Sequence, residues 1–224
     1  LNEGPLKALE IKLKERLLCI RCDVSKEEEG KDAIDQTVKR FGTIHVALTS
    51  AGIASVVQVL TKKGSFDTKR FDRVMQVNLM GSVYVAKYAA IVMAKNKALN
   101  DKGEKGLILF VSSNLAQQGT KGMFAYSATK GAINGMLMPM ARDLGKFGIR
   151  VAAVAPGLFD TPMPSLGTNY KDQEKKQKYM YMATPMGRPG QPDEFAHIVT
   201  TCIENAYING VPIGIDGAQV SPNL

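Results

Sequence analysis

Ser113, Tyr126 and Lys130 are the residues of this chain whose types and spacing could do chemistry together. They lie in one stretch, S-N-L-A-Q-Q-G-T-K-G-M-F-A-Y-S-A-T-K, which begins at Ser113 and ends at Lys130. Tyr-x-x-x-Lys puts a phenol and an ammonium one helical turn apart on the same side of a helix. A free tyrosine, with a pKa of about 10, is a poor base at neutral pH. A nearby ammonium favours the phenolate and draws that pKa down. A serine hydroxyl facing the same point can hydrogen-bond a substrate oxygen and fix its position. Together the three suit proton exchange at an alcohol or carbonyl oxygen. The plainer alternative for Tyr126 and Lys130 is an ordinary surface pair.

The elements around them favour a site. The apolar run Leu107-Ile108-Leu109-Phe110-Val111 reads as a fully buried strand, so Ser113 falls at its carboxyl end. A helical pattern follows, with Phe124, Ala128, Gly131, Ala132 and Gly135 along one mostly small face. The carboxyl ends of strands are where an open α/β sheet binds its ligand.

The 224 residues, 45% of them hydrophobic, suit one α/β domain over residues 1–224. No apolar run is long enough to span a membrane, and no secretory or transit segment is visible at Leu1, where the chain opens without Met. A net charge of +8 suits anionic partners such as a dinucleotide, an acyl-CoA or RNA, or simply keeps the protein soluble. Cys19 and Cys22 are spaced C-x-x-C, but in a strand-like run and with no second pair, so a zinc site is not expected. The three cysteines read as core residues of a reducing compartment. His45 and His197, the only histidines, neighbour no nucleophile, so neither a metal site nor a Ser-His-Asp triad is expected.

In chain order, residues 6–16 are amphipathic, with Leu6, Leu9 and Leu13 on one side. Leu17 to Ile20 reads as a short buried strand ending at Asp23-Val24, and Ser25-Lys26-Glu27-Glu28 as a capping box opening a helix to about Phe41. A strand at Ile44 to Leu48 runs into Thr49-Ser50-Ala51-Gly52, and a long helix, roughly 67–98, carries Val77-Asn78-Leu79-Met80-Gly81. After the Tyr126 helix come a strand at 149–155 ending in Pro156-Gly157-Leu158-Phe159-Asp160-Thr161, a Met- and Lys-rich segment, a helix from Pro192 and a strand at 211–216.

Ser113, Tyr126-x-x-x-Lys130 and the upstream Asn78, in this order of elements, resemble the short-chain dehydrogenase/reductase family over residues 17 to 222. The resemblance implies a Rossmann-like, doubly wound parallel sheet, here lacking its first one or two strands. It implies hydride transfer between NAD(H) and a secondary alcohol or ketone. Tyr126 would be the acid/base, Lys130 would lower its pKa and hold the ribose, Ser113 would orient the substrate, and Asn78 would support a proton relay from a distorted helix. Cofactor contacts would come from Asp23, Val24, Ser50, Ala51, Gly52, Tyr126, Lys130, Pro156, Gly157, Phe159 and Thr161, with Asp23 bonding the adenine amino group. Each has a structural alternative: a helix-start carboxylate for Asp23, a buried amide with a partner for Asn78, a plain turn for Pro156-Gly157.

Two departures stand out. Thr49-Ser50 replace the family's Asn-Asn before Ala-Gly, and the glycine-rich phosphate fingerprint is absent from the sequence. With it goes the acidic residue that separates NAD from NADP. The Lys62-Lys63-Gly64 loop, the linker at 100–105 and the runs V-N-L-M-G, A-R-D-L, G-I-R-V, A-P-G-L-F and A-H-I-V resemble the family members that act on 3-hydroxyacyl-CoA thioesters and hydroxysteroids. That narrower resemblance implies a homotetramer in the mitochondrial matrix, with a substrate lid at about 159–188. In the lid, Met180, Met182 and Met186 could pack on an acyl chain or steroid, and Lys175, Lys176 and Lys178 could face a CoA phosphate. The alternatives are a non-catalytic scaffold in mitochondrial tRNA processing, or a reductase of 3-oxoacyl-carrier-protein thioesters.

Overall fold

A computed structural model describes residues 9, 11–62, 64–161 and 184–219. Four parallel strands form the sheet: β1 (Val46–Thr49), β4 (Gly106–Val111), β5 (Ile149–Pro156) and β6 (Pro212–Ile215), adjacent in that order. A separate antiparallel hairpin joins β2 (Leu60–Thr61) to β3 (Gly64–Ser65). Helices α1 (Glu27–Phe41), α2 (Thr68–Met75), α3 (Gly81–Met93), α4 (Phe124–Gly145) and α5 (Pro192–Glu204) flank the sheet. A π-helical turn, Gln76–Met80, joins α2 to α3.

The strand residues explain the layers. Successive side chains on a strand point to opposite faces, and β4 is apolar on both. Ile108 and Phe110 pack with Val151 and Ala153 against Ile34 of α1, Ala86, Ala89 and Met93 of α3, and Ile133 and Leu137 of α4. Leu107 and Leu109, with Ala152 and Val154, face Cys202 and its α5 neighbours Phe195, Ile198 and Val199. A continuously hydrophobic strand covered on both sides is what a doubly wound parallel sheet requires. Gly106 is glycine for space: a Cβ there would lie 2.7 Å from Met93 Sδ.

Arg150 is the exception within an otherwise apolar strand. It is buried, pairs with Glu104 at 2.7 Å, and donates to the carbonyls of Cys202, Ile203 and Ile208. A cation thus caps the carboxyl end of α5, where its unsatisfied carbonyls gather. The 100–105 linker supplies the counter-charge. Lys105 N donates to Gly148 O, and Asn100 bonds Glu104 through both its backbone N–H and its carboxylate.

Four local expectations change. Leu17 to Ile20 are half-buried, with Leu17 extended, and join no ladder among the described residues. β1 is therefore an edge, and its Leu48 is exposed. Of residues 6–16, the described part is helical at 9 and 11–13 with a 3₁₀ turn at Lys14–Arg16, and Leu9 and Leu13 are exposed rather than packed. Ser25 does not cap α1: Lys26 occupies the cap position with no side-chain bond, and the Ser25 hydroxyl donates to Asp23 Oδ1 at 2.6 Å instead. The long helix ends at Met93, with Asp67 as its true cap, accepting from Lys69 N at 3.0 Å. Leu6, Lys63, and the Met- and Lys-rich segment at 162–183 lie outside the described residues. No described helix is long and apolar enough to cross a membrane. Cys22 and Cys202 carry unbridged thiols.

Candidate active site

β4 delivers Ser112 and Ser113 at its carboxyl end, and the next turn fixes both. Ser113 caps a 3₁₀ turn (Asn114–Ala116), its Oγ accepting from Leu115 N at 3.2 Å. Ser112 points inward and donates to Asn134 Oδ1 of α4 at 2.7 Å, tying the strand end to the helix. Lys130 belongs to the same α4 and is only 5% exposed, a rare place for an ammonium. Its Nζ donates to Val111 O at 2.6 Å and lies over the Tyr126 ring, 5.5 Å from the centroid. The Tyr126 hydroxyl lies near enough to the Ser113 hydroxyl for the latter to favour its phenolate. The three groups converge at one point, held by one strand end and one helix.

Burial sets the electrostatics. Desolvation brings the Lys130 ammonium down from 10.5 to about 8. It pushes the Tyr126 phenol up, and the Ser113 hydrogen bond offsets only part of that rise. The expectation of a Tyr126 pKa drawn down by Lys130 is therefore not met by these residues alone. Placing a phenolate out of water costs more than its one hydrogen bond returns.

Asn78 sits fully buried in the π-helical turn. Its Oδ1 accepts from Ile53 N at 2.8 Å and its Nδ2 donates to Ile53 O at 3.0 Å, so the amide clamps the residue after Gly52. Nδ2 also approaches Thr129 Oγ1 at 3.4 Å, and Thr129 donates to Tyr126 O at 2.7 Å. One side chain thus links the loop after β1 to the helix of Tyr126. The Asn78 carbonyl accepts from Ser82 Oγ at 2.8 Å.

The other expected residues fall along the same edge of the sheet. Ser50 and Ala51 are exposed at the end of β1, and Gly52 lies against Asn78, whose Oδ1 a Cβ would meet at 3.4 Å. Thr49, where the family's asparagine is replaced, has a buried hydroxyl with no partner among the described residues. Val24 packs on Gly81: a Cβ there would lie 2.8 Å from Val24 Cγ2. Asp23 closes a turn by accepting from Ser25 N and Oγ, bonds that hold its carboxyl below the usual range. Pro156 to Thr161 leave the end of β5. There Gly157 N donates to Ile215 O, Leu158 N donates to Gln219 Oε1, and Phe159 packs on Gly190 and Phe195. Thr161 is half-buried at the last described position of that loop.

Sequence reasoning passed over Ile53, Ser112, Asn134 and Gln219, since each acts through a partner far along the chain. Arg150 and Ser112 left a signal, a polar residue inside or abutting a buried strand that must find a partner. A cavity of about 130 Å³ beside Ser113 is bounded by Asn114, Gln117, Asn134 and Asp216 among others, and the Asn114 Nδ2 is buried with no partner among the described residues. Among the described residues no cluster of His, Cys, Asp or Glu could hold a metal ion.

The chain's own groups fit the nicotinamide–ribose end of a pyridine dinucleotide. Lys130 has three N–H donors, and Val111 O is its one hydrogen-bond acceptor among the described residues. Small residues at Ala51-Gly52 leave the backbone approachable, and the Pro156-Gly157 turn lies at the neighbouring strand ends. Lys130, Tyr126 and the Gly52 loop would hold the ribose, and the Pro156–Thr161 turn the ring.

A doubly wound parallel sheet with this serine, tyrosine and lysine at its strand ends defines a class, the Rossmann-like oxidoreductases. Residues 2–217 match a family described as enoyl-(acyl carrier protein) reductase. The chain is 39% identical over 220 residues to 3-hydroxyacyl-CoA dehydrogenase type-2 of Mus musculus, spanning 97% of this chain and 81% of that protein. The crystal structure of 3-hydroxyacyl-CoA dehydrogenase type-2 from Mycobacterium avium superposes with a TM-score of 0.86 at 29% identity, over 97% of this chain and 83% of that one. ElxO with NADP bound gives a TM-score of 0.81 at 27% identity, over 96% and 83%. The chain belongs to the short-chain dehydrogenase/reductase family, whose members are NAD(P)-dependent oxidoreductases.

Proposed function

We propose that this protein interconverts a secondary alcohol and a ketone on a 3-hydroxyacyl thioester, with NAD(H) as its cofactor. The observation that carries the reading is the convergence of Tyr126, Ser113 and the buried Lys130 at the end of β4. The dinucleotide supplies or accepts the hydride at the carbinol carbon. Tyr126 gives the accompanying proton to the substrate oxygen in reduction and takes it in oxidation. Ser113 hydrogen-bonds that oxygen, fixing it beside the phenol. Lys130 places a positive charge over the Tyr126 ring and favours the phenolate whenever it is protonated. Asn78 keeps the Gly52 loop and the Tyr126 helix in one geometry and so supports a proton relay. Asp23, Val24, Ser50, Ala51, Gly52, Pro156, Gly157, Phe159 and Thr161 line the cofactor cleft.

The choice of thioester rests on the relatives acting on 3-hydroxyacyl-CoA, and that of NAD on the resemblance to them. The family description favours a second thioester, one carried on an acyl carrier protein. The test reduces 3-oxoacyl-CoA, 3-oxoacyl-carrier-protein and a ketosteroid side by side with NADH and NADPH, for wild type and Tyr126→Phe. General acid–base catalysis contributes roughly 100- to 10,000-fold, so Tyr126→Phe should lose at least about a hundredfold in turnover with NADH affinity within about twofold. Near-normal turnover in the variant overturns the assignment. Faster turnover of the carrier-protein substrate replaces the CoA reading with the second.

A further inference from the structure

The proposed adenine carboxylate, Asp23, is held by a network that the catalytic reading does not use. Its Oδ1 is filled twice by Ser25, from the backbone N–H at 3.1 Å and the hydroxyl at 2.6 Å. Ser25 is itself buried, and its Oγ accepts from Arg73 NH1 of α2 at 2.8 Å. Its carbonyl accepts from Gln76 Nε2 at 2.9 Å. Asp23 N donates to Glu29 Oε2 at 2.7 Å, so the backbone of Asp23 is fixed as well as its side chain. The second carboxylate oxygen, Oδ2, faces the Arg73 guanidinium at 3.8 Å, beyond a hydrogen bond, on a side chain that is 37% exposed.

An ionised carboxylate only accepts hydrogen bonds. With Oδ1 filled by Ser25, Oδ2 is the oxygen left to accept, and it matches the amino group of a 6-aminopurine and repels the carbonyl of a 6-oxopurine. The orientation depends on Ser25, and the hydroxyl direction of Ser25 depends on Arg73: a guanidinium can only donate, so it forces that hydroxyl to give its own proton to Asp23. We propose that Arg73, acting through Ser25, is a positioning residue that makes this end of the cleft select adenine over hypoxanthine. The inference rests on the dinucleotide reading above but not on catalysis, and it is read by binding alone.

The experiment titrates NADH, its hypoxanthine counterpart, and reduced nicotinamide mononucleotide into wild type, Arg73→Met, Arg73→Lys and Ser25→Ala, following nicotinamide fluorescence. A hydrogen bond to a charged group corresponds to roughly tenfold in affinity. Wild type should therefore prefer NADH over the hypoxanthine dinucleotide by about tenfold. Arg73→Met and Ser25→Ala should bring that ratio towards one, and Arg73→Lys should restore most of it. The mononucleotide has no purine, so its affinity reports general damage and should stay within about twofold. Equal affinity for the two dinucleotides in wild type, or no binding of either, overturns the inference. So does an unchanged ratio in both variants, or an equal loss for the mononucleotide. Loss of turnover in Tyr126→Phe leaves all these readings standing, so the two proposals fail separately.

Discussion

Lys130→Met should make the protein more stable near neutral pH relative to its stability at high pH, by an amount that the buried ammonium sets. Lys130 titrates at about 8 in the folded protein, against 10.5 as its ordinary value. Its folded pKa is depressed, so the folded state binds fewer protons than the unfolded one between those values. Below pH 8 both states are charged and the native state carries the full desolvation cost. That cost fades as pH rises from about 8 to 10.5, where both states become neutral. At 1.36 kcal/mol per tenfold change in the proton equilibrium, the cost is about 3 kcal/mol. Lys130 is almost wholly buried, so solvent screens little of it. Methionine has no charge to desolvate. It also leaves Val111 O without its donor, a loss of about 1–3 kcal/mol that does not depend on pH. The stability of Lys130→Met minus that of wild type should thus fall by about 2–3 kcal/mol between pH 7 and pH 10. Burial pushes the Tyr126 phenol above its ordinary value. The assay is urea unfolding of both proteins at half-unit pH steps, with the midpoint and slope fitted at each. A difference that stays flat across the range refutes the buried ammonium, and one that grows with pH reverses its sign. The same variant should lose turnover, a stability cost retained for function.

Glu104→Gln leaves the Arg150 guanidinium buried beside the α5 carboxyl end without its counter-charge, and should cost about 3–5 kcal/mol in chemical unfolding. A loss under 1 kcal/mol would mean that the carbonyls alone satisfy it. Gly81→Ala drives a Cβ to within 2.8 Å of Val24 Cγ2 and 3.0 Å of Val24 O, and should cost about 1–3 kcal/mol with weakened dinucleotide binding; wild-type stability would show that the Val24 segment yields freely. Thr49→Val replaces an unpartnered buried hydroxyl with a methyl of similar size and should raise stability by about 1 kcal/mol, measured by the unfolding midpoint. A destabilised Thr49→Val would show that the hydroxyl has a partner after all.

The convergence of Ser113, Tyr126 and Lys130 was readable because two local rules carry it. A buried apolar run announces a strand end, and i,i+4 spacing announces a shared helix face. The doubly wound layering was readable for the same reason, since β4 is apolar without a break from Leu107 to Val111. Leu17 to Ile20 have strand-like residues, yet a strand is a property of its neighbours and forms no ladder without them. The capping box failed in a related way. Ser25 has the right type, but its hydroxyl is taken up by Arg73, 48 residues on, and by Asp23. The partner of Asn78 was equally hidden, since its amide meets Ile53 across 25 residues of sequence. The direction of the Tyr126 pKa depends on how much water the fold removes, which no spacing encodes.

The π-helical turn at Gln76–Met80 is in effect one residue too many for an α-helix. An α-helix advances about 100° per residue at 3.6 residues per turn, so the surplus residue sets the phase between the helix before it and the helix after it. Before that offset Arg73 reaches Ser25, and Gln76 at its first position does too; within it, Asn78 reaches Ile53; beyond it, Gly81 receives Val24. Removing one residue would restore a continuous hydrogen-bond ladder and turn the first set away from the second. The local flaw in the helix is what lets one rod address both ends of the cleft, so length changes of a single residue here should be tolerated far less than substitutions.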